Sequence, residues 1–240
     1  MWKASSKSKV PAPYKSKPTY LYSASVPLVI AVVVPTRKDR PRFLQFCKKQ
    51  LRDQTQRIHH IIIVDDPPPN PDLCDITWRY RIGCRRALDK RCNVIMFWED
   101  DDWYHPTYVQ WMISQWITAG SPGLFGVNET YYYHLGARKK VRFFHPARAS
   151  AFCTLISSTY AQNIKWPKDS TASLDLELWS KGGITIPWGE TILAIGIKHN
   201  IGCNGGSWHD PKRDGWRPEN AKGWFLEKLN PKAKAFYQQF

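Results

Sequence analysis

Three short runs of apolar residues restrict what this 240-residue chain can fold into. They lie at 28–34, 60–64 and 94–98, and valine and isoleucine dominate them. Continuous β-branched runs of this length are typical of strands buried on both faces of a parallel sheet. Segments predicted to be helical follow these runs, at 42–52, 79–92 and 106–118. Three strand–helix units in this order predict a single-domain α/β fold with a mostly parallel sheet flanked by helices. In the second half of the chain we expect strands at 140–144, 151–157 and 192–197, a glycine-rich segment at 202–206 and one terminal helix.

Polar side chains follow each of the three predicted strands. They are Thr36-Arg37, Asp65-Asp66 and the acidic run from Glu99 to Asp102. Because ligands of open α/β sheets bind beyond the carboxyl ends of the strands, we expect these side chains to meet in one crevice. Four consecutive carboxylates repel one another, and a cation relieves that repulsion. Carboxylate oxygens suit Mg²⁺ and Mn²⁺, so the run predicts a divalent metal site.

The charge of the chain is strongly positive, with a formal net charge of +15. Lysine and arginine concentrate at 37–57, 79–91 and 138–148. A surface this basic attracts polyanions, so we expect an acidic partner: a nucleic acid, an anionic membrane or the diphosphate of a donor. Residues 1–25 carry five lysines and no acid, which predicts a flexible basic tail.

The cysteines and the apolar runs bear on the compartment. Six cysteines are scattered without a C-x-x-C pair, which predicts free thiols in a reducing cytoplasm, the host cytoplasm if the chain is viral. The longest apolar run, 26–34, contains Pro27 and is too short to cross a bilayer. No small-residue cleavage site follows it, so we expect neither a signal peptide nor a transmembrane segment. The sequence leaves the oligomeric state open.

Four motifs together resemble one enzyme family. They are VVVPTR at 32–37, IIVDD at 62–66, FWEDDDWYHP at 97–106 and the acidic segment LDLELW at 174–179. Their order and spacing are similar to those of the large inverting family of GT-A glycosyltransferases, over residues 28–185 or so. The resemblance implies a GT-A, Rossmann-like fold and transfer of a sugar from a nucleotide-sugar, typically a UDP-sugar. It also implies Mn²⁺ or Mg²⁺ as the cofactor.

The resemblance assigns roles on the donor side of the reaction. The implied donor-binding residues are Pro35, Thr36 and Arg37 at the nucleotide, Asp65 or Asp66 at the base, Arg85 or Arg86 at the diphosphate, and Asp100 and Asp101. The two arginines also fit a simple solvated helix surface. A loop of three prolines after Asp65-Asp66 departs from the family pattern.

The resemblance also implies the metal ligands and a base. The favoured D-x-D pair is Asp100 and Asp102, with Asp102 as the direct ligand, and the alternative register is Glu99 and Asp101. Asp175 matches the residue that acts as general base on the acceptor hydroxyl, although a solvated helix face also explains it.

A histidine near the carboxyl end of the chain is a further candidate ligand. His199, and in second place His209, would add a metal or phosphate contact, although a lone histidine is commonly structural.

The resemblance divides the chain but leaves the acceptor open. Residues 26–120 would bind the nucleotide-sugar, and 121–240 would bind the acceptor and form a carboxyl-terminal extension. Some viral GT-A enzymes glycosylate hydroxymethylated pyrimidines in DNA, and the charge and aromatic content favour this acceptor. The alternatives are a glycan, a lipid-linked sugar or a protein as acceptor, or a non-catalytic nucleic-acid-binding module.

Overall fold

The computed structural model describes residues 27–37, 39–199, 211–212, 215–218 and 220–240. The strands are β1 (Ile30–Pro35), β2 (His60–Val64), β3 (Val94–Phe97), β4 (Trp103–Tyr104), β5 (Leu124–Val127), β6 (Glu129–His134), β7 (Lys139–Phe144), β8 (Thr154–Ser157), β9 (Ile184–Ile186) and β10 (Ala194–Lys198). The helices are α1 (Pro41–Arg52), α2 (Ile76–Asp89), α3 (Tyr108–Thr118), α4 (Ser158–Asn163), α5 (Leu174–Trp179), α6 (Ala221–Lys228) and α7 (Pro231–Tyr237).

The larger sheet has six strands in the order β2-β1-β3-β8-β5-β9. β1 pairs in parallel with β2 and β3, β5 pairs in parallel with β9, and β8 runs antiparallel to both of its neighbours. Every residue of β1 and β3 is buried, as continuous apolar strands require. The predicted single-domain α/β fold with a mostly parallel sheet is therefore confirmed. Strands from both predicted halves of the chain, 26–120 and 121–240, share this sheet.

A second sheet of four strands, in the order β4-β10-β6-β7, lies beside the first. A separate apolar cluster covers it and includes Phe43 of α1, Phe225 of α6 and Tyr237 of α7. β4 begins directly after the acidic run 99–102, and β10 pairs with β4. The acidic run therefore joins the two sheets, because β3 of the large sheet precedes it and β4 of the small sheet follows it.

Several predicted boundaries differ from the observed ones. A strand was expected over 151–157, but Ala151–Cys153 form a 3₁₀ turn before β8 begins. The Ser150 carbonyl oxygen accepts hydrogen bonds from the Cys153 amide and the Thr154 hydroxyl, which closes this turn. The single terminal helix that the sequence predicts is two helices, because the Asn230 side chain caps a new helix at α7. The predicted tail 1–25 and the glycine-rich segment 202–206 lie outside the described residues.

Two other expectations concern thiols and membrane spans. All five cysteines in the described part of the chain are free thiols. No helix in that part is both long enough and apolar enough to cross a membrane.

Helix α2 approaches the large sheet closely at one glycine. A Cβ atom built on Gly83 would lie 2.2 Å from Cγ1 of Val33 and 3.1 Å from Cγ2 of Val64. Neither valine side chain can move far, because β1 and β2 are packed on this face. Because Gly83 has no side chain, α2 can pack this closely against β1 and β2.

We predict that Gly83→Ala destabilises the protein. Alanine is the better helix former by about 1 kcal/mol, but overpacking a buried contact typically costs about 1–3 kcal/mol, so the steric term should prevail. The free energy of unfolding, measured by denaturant titration, should fall. Arg85→Ala, at an exposed position of the same helix, is the control and should change it by less than about 0.5 kcal/mol. A more stable Gly83→Ala protein would contradict the close packing.

Candidate active site

A cavity of about 370 Å³ opens beyond the carboxyl ends of β1 and β3. Its lining includes Pro35, Thr36, Arg37, Arg40, Asp75, Arg79, Glu99, Asp101, Tyr132, Phe143, His145, Arg148, Leu174, Asp175, Leu176, Ile197, Lys198 and His199. Two of the three polar strand ends thus meet, as the sequence predicts. The third, after β2, does not line the cavity, because β2 is the edge strand of the sheet.

The end of β1 is tied to the acidic run through Asp100. The Thr36 hydroxyl donates to Oδ2 of Asp100 over 2.7 Å, and Arg40 donates to Oδ1 over 2.6 Å. Arg40 also donates to Oδ2 of Asp101. Burial raises the pKa of Asp100 to about 7, although Arg40 acts in the opposite direction. Both oxygens of Asp100 are therefore engaged in holding β1 and the acidic run together.

The other three acids of the run form a compact group. One oxygen each from Glu99, Asp101 and Asp102 lie within 4.8 Å of one another. Oδ1 of Asp102 accepts a 2.7 Å hydrogen bond from the Ile197 amide of β10. Oδ2 of Asp102 and Oδ1 of Asp101 are buried and have no hydrogen-bond partner among the described residues. Buried oxygens of this kind are costly unless a cation meets them, so the group fits a divalent metal.

This geometry favours the alternative D-x-D register. Asp100 is turned towards Thr36 and Arg40, so it does not share the metal-binding group with Asp102. The alternative pair, Glu99 and Asp101, lies within that group. The sequence could not decide between the registers, because side chains stop alternating regularly once β3 ends at Phe97.

His199 lies beside the acidic group. Its Nε2 atom is 2.9 Å from Oδ2 of Asp101, and its ring stacks on Phe43 at 4.6 Å between centroids. His199 thus lies next to the acidic group, and its role as a metal or phosphate ligand stays a prediction. The second-choice residue, His209, lies outside the described residues.

Lys198 is a site residue that the sequence reasoning missed. Its side chain is buried, and Nζ lies 4.9 Å from the ring centroid of Tyr132. Burial would lower the pKa of Lys198, but Asp102 and Glu99 raise it above its usual value. The ammonium group is therefore charged and offsets part of the carboxylate charge. A lysine at the end of the apolar β10 run was the signal available in the sequence.

A second ionic cluster lies near the end of β1. Asp75 accepts from Nε of Arg37 over 2.9 Å and from Nε of Arg79 over 2.8 Å. Arg79 also donates to the Val64 carbonyl oxygen at the end of β2. Sequence reasoning identified Arg37 but not Asp75 or Arg79, because no strand-end motif marks a loop aspartate and a helical arginine.

The residues after β2 and on α2 that were expected to contact the donor lie outside the cavity lining. Asp66 and Arg86 form a bidentate pair with each other, at 2.8 and 2.9 Å, on the protein surface. Asp65 and Arg85 are exposed. None of these four described residues lines the cavity.

Asp175 lies across the cavity on α5 and is half-buried. Arg148 donates a hydrogen bond to its Oδ2 atom. Burial raises the pKa of Asp175, and the nearby Arg148 acts in the opposite direction. Asp175 therefore faces the cavity instead of a fully solvated helix surface, and a carboxylate with a raised pKa is a better proton acceptor.

Comparison with known proteins identifies the fold. The sequence matches no protein-family model, and no curated protein has significant sequence similarity to it. The structure of TarS 1-349 from S. aureus in complex with UDP-GlcNAc is 8% identical, has a TM-score of 0.51, and covers 86% of this chain and 69% of that chain. A longer TarS chain from S. aureus is also 8% identical, with a TM-score of 0.50, covering 84% of this chain and 43% of that one. A197 from STIV is 14% identical, with a TM-score of 0.42, covering 67% and 82%.

At these identities the likeness concerns the fold. This chain spans less than half the length of the longer TarS chain. The shared α/β architecture agrees with the GT-A arrangement predicted from the four motifs. What these proteins bind or do is a separate question for this chain.

We predict that His145 makes the protein sensitive to acid. Burial, and then Arg148, lower the pKa of His145 to about 4, against a usual value of about 6.5. Between these values the unfolded chain binds more protons than the folded one, so stability falls as the pH falls through this window. His145→Gln should reduce the loss of unfolding free energy between pH 7.5 and 4.5 by about 1–3 kcal/mol. Equal pH dependence in the two proteins would contradict this assignment.

Proposed function

We propose that this chain is a metal-dependent inverting glycosyltransferase that moves a sugar from a UDP-sugar to a hydroxyl acceptor. The observation that carries the proposal is one cavity lined by Asp175 and by Glu99 and Asp101, which form a compact acidic group with the buried Asp102. The fold adds support, because the similar TarS 1-349 was solved with UDP-GlcNAc.

Glu99, Asp101, Asp102 and His199 would hold Mn²⁺ or Mg²⁺. When bound, the metal would supply Lewis-acid and electrostatic stabilisation of the diphosphate leaving group. Two carboxylate oxygens that are buried without a hydrogen-bond donor support this assignment. Arg40 and Lys198 offset only part of the negative charge of the run, so a divalent cation remains favourable there.

The donor would lie against the end of β1. Pro35, Thr36 and Arg37 line the cavity and are the proposed nucleotide contacts. Four other residues that the resemblance assigned to the donor do not line the cavity, so they would have to reach the donor from outside it. They are Asp65, Asp66, Arg85 and Arg86. The observed positions therefore give more support to the β1 residues than to the β2 and α2 residues.

Asp175 is the proposed general base. It would accept the proton of the acceptor hydroxyl as the hydroxyl oxygen attacks the anomeric carbon. The bond from that carbon to the diphosphate breaks in the same displacement, so the anomeric configuration inverts. The raised pKa of Asp175 suits this task.

We propose DNA with a hydroxymethylated pyrimidine as the acceptor. β7 carries Lys139, Lys140 and Arg142 and ends in the exposed Phe143 and Phe144. Basic side chains bind phosphates, and exposed aromatic rings beside them stack on bases. A base in a duplex would have to be flipped out to reach the cavity.

We predict that Asp101→Asn weakens Mn²⁺ binding more than Asp100→Asn does. Both variants replace a carboxyl group by an amide in the same loop, but only Asp101 belongs to the group of three close acids. Calorimetric titration should show a loss of roughly tenfold or more for Asp101→Asn, and turnover should fall by about two orders of magnitude. If Asp100→Asn instead weakened Mn²⁺ binding more than Asp101→Asn, Asp100 and Asp102 would be the metal-binding pair. Full transfer activity in excess EDTA would overturn metal dependence.

We predict that a duplex with hydroxymethylcytosine accepts the sugar and a duplex with methylcytosine does not, because a methyl group offers no nucleophilic oxygen. Mass spectrometry of the DNA after incubation with UDP-sugars gives the measurement. Binding should weaken with salt at a log–log slope of about −0.9 per phosphate contact. Charge reversal at Lys139 and Lys140 should reduce that slope, and Lys165→Glu, outside the basic runs, is the control. Product on a glycan or lipid acceptor, with neither duplex modified, would refute the DNA proposal.

A further inference from the structure

We propose that Arg148 binds a phosphate group of the acceptor, and that this phosphate draws Arg148 away from Asp175 and so frees the base. The inference rests on the proposed glycosyltransferase function. It adds a substrate class: acceptors that carry a phosphate close to the hydroxyl that receives the sugar.

The ion pair between Arg148 and Asp175 is the first observation. The side chains are 27% and 23% exposed, respectively, and both line the cavity, so a ligand can reach the pair. Arg148 donates to Oδ2 of Asp175, and a charge-assisted hydrogen bond of this kind occupies an oxygen that would otherwise accept a proton. Arg148 therefore makes the candidate base a weaker proton acceptor than its burial alone would.

The placement of the other cations is the second observation. Arg37 and Arg79 are paired with Asp75, and Arg40 is paired with Asp100 and Asp101. Lys198 interacts with Asp102 and Glu99. These pairings lie at the donor side, whereas Arg148 is paired with the proposed base itself. Displacing Arg148 from Asp175 would therefore change the reactivity of the proposed base, whereas displacing the other cations would not.

The neighbourhood of Arg148 is suited to an anion. His145 nearby is neutral at pH 7, because burial and Arg148 lower its pKa to about 4, so it neither repels nor attracts an anion strongly. Arg142, on the same basic segment 138–148, is ion-paired with Glu129, so it does not compete with Arg148 for an anion in the cavity. A guanidinium group can bind a phosphate through two parallel hydrogen bonds, whereas Arg148 makes one hydrogen bond to Asp175.

The chemical step then balances without another reactant. The acceptor phosphate takes the hydrogen bonds of Arg148, and Asp175 becomes free to accept the proton of the neighbouring hydroxyl. The hydroxyl oxygen forms the new bond to the anomeric carbon, and the nucleoside diphosphate leaves with the electron pair of the broken bond. Water and neutral acceptors do not displace Arg148 from Asp175, so the base stays paired and hydrolysis of the donor by water is limited.

Inorganic phosphate is the probe for a binding test on the full chain, with and without UDP. Asp175→Asn removes the competing carboxylate charge, so it should strengthen phosphate binding about tenfold. Arg148→Gln should weaken phosphate binding by at least the same factor, and Arg148→Lys should fall between this variant and the wild type. Calorimetry gives the constants, and sodium chloride at matched ionic strength is the control. Unchanged or weaker phosphate binding by Asp175→Asn would overturn the proposal, and this holds even if Arg148→Gln does not fold.

Matched acceptors identify the source of the phosphate. One pair is hydroxymethyldeoxycytidine and its 5′-monophosphate, and the other is glycerol and glycerol 3-phosphate. The wild type should transfer sugar to the phosphorylated member of at least one pair about tenfold faster than to the other member. Arg148→Gln should reduce this ratio of rates towards one. Preference confined to the nucleotide pair indicates nucleic acid, and preference confined to the glycerol pair indicates a phosphorylated polyol. Transfer without any phosphate preference would overturn this inference alone, whereas absence of UDP binding would overturn the proposed function.

Discussion

The burial of three adjacent aspartates, next to the half-buried Glu99, at the junction of two sheets is the constraint on which this structure depends. Backbone contacts hold the acidic run in place against its own repulsion. Gln50 donates to the Asp102 carbonyl oxygen over 2.9 Å and accepts from the Tyr104 amide over 2.9 Å. Tyr237 of the last helix donates to the Asp101 carbonyl oxygen over 3.3 Å. Side chains from α1 and α7 thus position a loop that neither sheet could hold by itself, so the carboxyl-terminal helices are part of the site.

The same run connects the site to the core. Asp102 binds the backbone of β10, and β10 delivers Lys198 and His199 to the acidic group. A change in the packing of the small sheet would therefore alter the metal-binding group without touching any of its carboxylates. This arrangement places the proposed metal ligands on two sheets, and the angle between those sheets sets the distances among the ligands.

In two places around the cavity, an arginine is paired with a carboxylate. On one side, Arg40 bridges Asp100 and Asp101, and on the other Arg148 holds Asp175. Two of the carboxylates that the proposed chemistry needs, Asp101 and Asp175, are thus already satisfied in part by an arginine. Ligands with phosphate groups can exchange partners with such arginines at little cost, because phosphate and carboxylate offer similar oxygen pairs. The protein can therefore remain stable before its substrates arrive.

The sequence by itself determined the sheet-and-helix order and the position of the acidic run at a strand end, because β-branched runs and strand-end acids act through local geometry. It also placed Thr36, Arg37 and His199 correctly beside the cavity. Only the tertiary structure decided which acids face each other, since Asp100 is turned away by contacts with residues 60 or more positions distant. Only the tertiary structure excluded the end of β2 from the cavity and brought in Lys198, because strand order and long-range ion pairs depend on packing between segments that no local pattern encodes.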